Sequence, residues 1–154
     1  MNTRHVRIGF PLWMGILVGW MAATASAQDA YEPDDSSSMA KTIANQETQF
    51  RSIHVGGNVD WATFRIGVGG AQNVMMQATG DMQMWLIQGR TGAIVAYDAA
   101  EYAGDFPRID VASLAPGTYF IQVQDWGNDE VIAAYELYAG WSEVLYEADL
   151  YEPD

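Results

Sequence analysis

Gly117-Thr118-Tyr119-Phe120-Ile121-Gln122-Val123-Gln124 alternates apolar and polar residues with a period close to two. Successive side chains of an extended strand point to opposite sides, so Tyr119, Ile121 and Val123 are expected to face a core and Gln122 and Gln124 to face solvent. Residues 60–68 repeat the pattern, with Ala62, Phe64, Ile66 and Val68 on one side and Thr63 and Arg65 on the other. Outward from these two stretches, the same period predicts strands over 48–55, 73–79, 82–88, 94–97, 108–112 and 134–140. Gly69-Gly70, Gly80-Asp81, Thr91-Gly92 and Pro116-Gly117 supply the turns, the last reading as type II. Eight short strands with no long helical period imply an all-β fold, a β-sandwich with jelly-roll or Greek-key-like wiring.

The ends of the chain read differently. Arg4 and Arg7 precede an uncharged apolar run from Ile8 to about Met21, and Ala25-Ser26-Ala27 follows. A basic start, an apolar middle and an A-x-A site make a secretory signal over residues 1–27, cleaved after Ala27. Pro11 and three glycines make the run a poor membrane anchor, and with no Cys in the chain lipidation at a lipobox is excluded. The sandwich domain is placed at 28–147. Its start is polar and acidic, and Asp35 is expected to cap a short helical turn over the residues that follow. Tyr31-Glu32-Pro33-Asp34 recurs as Tyr151-Glu152-Pro153-Asp154, about one small domain later. We read the copies as start marks of successive modules, with 148–154 a linker or the beginning of a second module.

Charge narrows the function. All 20 acidic residues lie beyond Ala27, against only Lys41, Arg51, Arg65, Arg90 and Arg108 of the 7 basic ones, so the mature chain is more acidic than the formal −13. Nucleic-acid binding, which displaces counterions from phosphate with basic groups, is thereby disfavoured, and so is adhesion to anionic lipid once the signal is removed. Secretion or residence in the periplasm follows from the signal. A secreted domain without disulfides must rely on packing, with or without a metal.

Four stretches of the chain resemble the pre-peptidase C-terminal domain of bacterial secreted peptidases. They are Glu32-Pro33-Asp34-Asp35-Ser36, Gly57-Asn58-Val59-Asp60-Trp61 with Phe64, Leu114-Ala115-Pro116-Gly117-Thr118-Tyr119 with Val123, and Tyr135-Glu136-Leu137. The resemblance implies a non-catalytic, jelly-roll-like sandwich. Related collagen-binding modules of bacterial collagenases hold calcium where an acidic lead-in meets the early strands. Carried onto this sequence, that pattern selects Glu32, Asp34, Asp35, Asn58 and Asp60. Asp34 stands where the family often has Asn, and Asn58 where an Asp is common, so the total charge is kept.

Calcium takes six to eight oxygen ligands in irregular loops, which suits four carboxylates and an amide. The simpler account is that Asp34 and Asp35 cap a turn, Glu32 is solvated, and Asn58 and Asp60 belong to a turn of their own. Among the aromatic residues, Trp126 in Asp125-Trp126-Gly127-Asn128-Asp129-Glu130 lies past the strand pattern and is the candidate ligand-binding residue. Trp61 and Tyr119 are assigned to the core. Met82 and Met84 share a strand face and read as core filling rather than a soft-metal site. His54 is the single His beyond the signal and there is no Cys, so neither a Cys-His pair nor a multi-His zinc site can form. The chain is read as not an enzyme.

The expected function is therefore that of an exported accessory module that binds an extracellular protein or polysaccharide, with calcium fixing its lead-in. A carbohydrate-binding module using Trp126 and a structural spacer in a modular protein are the alternatives.

Overall fold

The computed structural model describes residues 28–102 and 104–144. The signal segment, the end of the domain at 145–147 and the second Tyr-Glu-Pro-Asp copy lie outside the described residues. Nine strands run in chain order: β1 Lys41–Thr42, β2 Glu47–Ile53, β3 Asp60–Ile66, β4 Ala71–Ala78, β5 Met82–Gln88, β6 Ile94–Ala99, β7 Arg108–Leu114, β8 Gly117–Asp125 and β9 Ile132–Glu143. All eight strands expected from the period-two pattern are present, and a two-residue β1 is added.

A five-stranded sheet in the order β1-β3-β8-β5-β6 packs on a four-stranded sheet in the order β2-β9-β4-β7. Every pairing is antiparallel except β1 with β3. Apart from the β5–β6 hairpin, successive strands alternate between sheets, which is the wiring of a jelly-roll-like sandwich. Most core contacts therefore join residues distant in sequence.

The alternation fixes what goes inside. Ala62, Phe64 and Ile66 of β3 and Tyr119, Ile121 and Val123 of β8 are buried, as are Met82, Met84 and Leu86 of β5. Phe64 stacks between Tyr119, at 5.6 Å, and Trp141 of β9, at 5.0 Å. The Tyr119 hydroxyl donates to the Ala115 carbonyl at 3.0 Å, tying the loop before β8 to the core. This resembles a tyrosine corner, in which a core Tyr bonds back to the backbone a few residues upstream.

Four local expectations are corrected. Val68 is 86% exposed, because β3 ends at Ile66 and the chain turns at Gly67-to-Gly70 before the alternation reaches it. Trp61 is not a core residue: it shares the outward parity of Thr63 and Arg65 and packs edge-on against Phe120 at 6.1 Å. Gly117 has φ 153°, far from the value near +80° that a type II turn needs, so the chain enters β8 almost extended. Beyond Asp35 there is a single turn closed by the Met39 N–H on the Ser36 carbonyl, and then β1. Pairing of Lys41 and Thr42 with Ala62 and Thr63 wins there over the weak local preference for a helix.

Candidate functional site

The residues before β1 lie along the sandwich, held by contacts that begin at Asp29. Its carboxylate accepts the Ser52 N–H at 2.5 Å and the Tyr31 N–H at 2.7 Å, pinning the lead-in to β2. The Tyr31 ring covers the guanidinium of Arg51 at 4.6 Å, a cation–π contact. On the other side of the lead-in, the Trp61 N–H donates to the Asp34 carbonyl at 3.0 Å. The segment thus bridges both sheets.

Side chains from three strands then meet under it. Asp34 and Asp60 are each 1% exposed, Asn58 is 7% exposed, and Arg51 is 1% exposed. Arg51 donates from Nη1 to Asp34 Oδ2 and from Nε to Gln49 Oε1 at 3.0 Å. The Tyr135 hydroxyl of β9 donates to Asp60 Oδ2 at 2.7 Å, while Asn58 Nδ2 donates to Asp60 Oδ1 at 3.1 Å. Asn58 Nδ2 also lies 3.4 Å from Glu32 Oε1, which sits 2.6 Å from Nδ1 of His54. Glu32 Oε2 accepts the Asp34 N–H at 3.2 Å.

This concentration of acid has an electrostatic cost. Burial pushes the Asp60 carboxyl up to about 8 against the relief of the Tyr135 hydrogen bond, and the neighbouring Asp34 and Glu32 charges add to the rise. Burial likewise raises Asp34 to about 6 despite the Arg51 charge beside it. Tyr135, wholly enclosed and next to Asp60, is held well above the usual phenol range. Asp34 Oδ1 is buried with no hydrogen-bond partner. One strong cation inside the cluster therefore leaves part of the negative charge uncompensated.

The structure brings the five sequence-selected residues to one place in two groups. Ligand oxygens of Glu32, Asp34 and Asp35 all lie within 4.8 Å of one another, with Asp35 at the exposed rim. Asn58 and Asp60 join through the hydrogen bonds to Glu32 and Tyr135. Arg51, His54 and Tyr135 were not assigned to this site by sequence. Arg51 and His54 stand in or next to β2; Arg51 bonds Gln49 of its own strand and His54 lies beside Asn58, but their carboxylate partners, Asp34 and Glu32, come only with docking of the lead-in. Tyr135 lay within the Tyr135-Glu136-Leu137 motif, but nothing local tied it to Asp60, 75 residues away.

Trp126, the other sequence candidate, is 51% exposed on the loop between β8 and β9. Its N–H donates to the Asp81 carbonyl at 3.0 Å. With Asp81, Asp125, Gly127, Asp129 and Glu130 it lines a cavity of about 130 Å³. Asp125 organises this loop: its Oδ2 accepts the N–H groups of Gly127, Asp129 and Glu130 at 3.2, 3.1 and 3.3 Å. The loop in turn supports the clamp, because Gly56, two residues before Asn58, lies so close to the Asp129 carbonyl that no side chain fits there.

No family model matches the chain, and no curated protein matches it by sequence. Solved structures do. The pre-peptidase C-terminal domain of collagenase from Bacillus anthracis superposes with a TM-score of 0.54 at 24% identity, covering 65% of this chain and 93% of that one. The chain has the pre-peptidase C-terminal domain fold. Aeromonas hydrophila PliG, a periplasmic lysozyme inhibitor of g-type lysozyme, is similar with a TM-score of 0.50 at 16% identity, covering 67% of this chain and 97% of that one. At these identities the likeness establishes the sandwich, and the acidic lead-in has to be argued from its own residues.

Proposed function

We infer that this domain is a non-catalytic module of an exported protein, one that binds or positions a target outside the cytoplasm, and that calcium completes the clamp between its lead-in and the sandwich. The observation that carries the calcium reading is Asp34 Oδ1, a buried carboxylate oxygen with no hydrogen-bond partner, on a residue that brings a carboxylate oxygen within 4.8 Å of one from Glu32 and one from Asp35. Asp34 has one oxygen on Arg51 and the other free for an ion. Carboxylates of Glu32, Asp34, Asp35 and Asp60 are hard ligands suited to calcium, and the Asn58 amide, whose Nδ2 faces Glu32 and Asp60, would add its oxygen on turning over. A divalent charge there would offset the burial penalty, and the smaller mutual repulsion, that raise Asp34 and Asp60. The ion's contribution is structural: it would hold the lead-in on the β2–β3 face.

Export is supported by the tripartite signal pattern and by the likeness in fold to a periplasmic protein of Aeromonas hydrophila. The non-catalytic reading is supported by the use made of His54, the one imidazole among the described residues, which is engaged by Glu32 inside the clamp.

Thermal unfolding in EDTA, followed by titration with calcium and, separately, magnesium, tests the metal. Calcium is expected to raise the melting temperature steadily with the logarithm of its concentration above Kd, with a gain of about 2.7 kcal/mol at a hundredfold excess over Kd. Asp35→Ala, at the exposed rim, is expected to weaken that response without unfolding the protein. An unchanged melting curve at millimolar calcium overturns the calcium reading and leaves the clamp to Arg51 alone.

A further inference from the structure

The outward face of the five-stranded sheet carries side chains that neither the core nor the clamp uses. Register places Trp61 of β3 opposite Gln122 of β8, Gln122 opposite Trp85 of β5, and Trp85 opposite Tyr97 of β6. One row therefore crosses four strands, about 14 Å at the usual strand spacing. Trp85 and Tyr97 lie 5.0 Å apart between ring centres, and Tyr97 is 48% exposed. In the adjacent row Phe120 stands beside Ile87, and Phe120 meets Trp61 edge-on. A cleft of about 240 Å³ opens next to Trp61, between Phe120, Ser37 and Gly92.

Amides are interleaved with these rings. Gln124 Nε2 donates to Gln83 Oε1 at 3.0 Å, and Gln83 Nε2 donates to the Tyr97 hydroxyl at 3.2 Å, so this chain of bonds orients the platform's edge. Gln122, between the two tryptophans, has no side-chain hydrogen bond among the described residues and presents its donors and acceptor outward. By register, Asp60, Asp98 and Asp125 point inward, and no acidic residue occupies an outward position of β3, β5, β6 or β8. On a chain of formal charge −13 a face free of acid is a marked departure, and Arg65, four residues along β3 from Trp61 and outside the aromatic row, is the charged residue in an outward position of these four strands. The outer face of the other sheet is different, with an Arg108–Asp110 pair and an exposed Glu136.

We propose that the outer face of the five-stranded sheet, centred on Trp61, Gln122, Trp85 and Tyr97, binds an uncharged polysaccharide chain. A sugar ring has an apolar C–H face and a rim of hydroxyl groups. Flat rings separated by amides match both, the aromatics stacking and the glutamines exchanging hydrogen bonds. The row itself carries no charged side chain to pair with an ionic glycan, and across four strands it is long enough for several consecutive sugars. Trp126 is not part of this site.

Affinity electrophoresis of the full mature chain through gels containing hydroxyethyl cellulose, xylan or mannan, with sedimentation on chitin, tests the proposal, and alginate and collagen serve as charged and peptide comparators. Retention is expected on at least one neutral glycan. Trp85→Ala is expected to weaken it at least about tenfold, the loss typical of a central aromatic contact. Tyr97→Ala, at an edge position whose truncation leaves the core intact, is expected to act in the same direction, and Trp126→Ala to leave retention unchanged. Binding to none of the neutral glycans, binding only to alginate or collagen, or retention lost in Trp126→Ala but kept in Tyr97→Ala would each overturn it.

Discussion

Buried acid stands at two neighbouring places in this sandwich, the Asp34–Asp60 cluster and the single carboxylate of Asp125, and is stabilised in opposite ways. Asp125 accepts three N–H groups from the next five residues, so the loop that it closes folds around its own carboxylate. Asp34 and Asp60 instead depend on Arg51 and Tyr135, which arrive from β2 and β9, with Asn58 adding a bond from just before β3, and both carboxyls are raised by burial. Backbone donors within one loop are supplied by local geometry. Side-chain donors from two distant strands meet these acids only when the sandwich is assembled. The first place is thus a local structural device, whereas the second reports on docking of the lead-in and is where the proposed calcium would act.

The sharpest way to break this contrast is Arg51→Ala. It leaves Asp34 buried without its cation, and removing one partner of a buried pair costs about 3–5 kcal/mol. Urea unfolding in EDTA should show that loss. A change under about 1 kcal/mol would mean that the lead-in leaves the sandwich readily and that the clamp contributes little.

Proton linkage gives the next effect. Asp34 and Asp60 have folded-state values of about 6 and about 8, above their value of 3.8 in an unfolded chain, so the folded state holds more protons between these limits. Stability of the calcium-free protein is then fully present below pH about 4 and declines as pH rises towards 8, by up to about 1.4 kcal/mol per pH unit for one group. Melting curves in EDTA at pH 5, 6 and 7 should fall steadily. A curve that rises over this range would show that Arg51 and Tyr135 compensate the charges fully.

Asp125→Ala should cost less, about 2 kcal/mol, because a hydrogen-bonded carboxylate is lost with its charge and no opposite charge is stranded. The β8–β9 loop should lose amide protection from exchange while the lead-in keeps its own, apart from the contact through Gly56. Equal loss of protection in both regions would merge the two places into one cooperative unit. The smallest effect belongs to Trp126→Ala, whose ring is half exposed. Its stability should stay within about 0.5 kcal/mol of the parent in the same unfolding assay.

Much of the fold was legible because strand burial follows a period of two that sequence displays directly. Tyr119, Ile121 and Val123 were assigned to the core by alternation, and they are buried. Trp61 shows how residue type can mislead: a large aromatic suggests the interior, but its parity with Thr63 and Arg65 sends it outward. At the acidic site, Glu32, Asp34, Asp35, Asn58 and Asp60 were chosen from a family pattern, and the lead-in does fold over β3. Arg51, His54 and Tyr135 were not readable as their partners, since no local spacing connects residue 60 with residue 135.

The sequence alone was enough for the class of fold, the approximate positions of eight strands, the buried residues of β3 as far as Ile66 and of β8, and the acidic character of the lead-in. These properties follow from short-range alternation, turn residues and composition. Tertiary structure alone decided which acids are buried together, which cation and hydroxyl meet them, and that Trp61, Gln122, Trp85 and Tyr97 form one row. Each of those depends on the order and register of strands far apart in the chain. Register is set by the simultaneous packing of two sheets, a collective outcome that no single segment encodes.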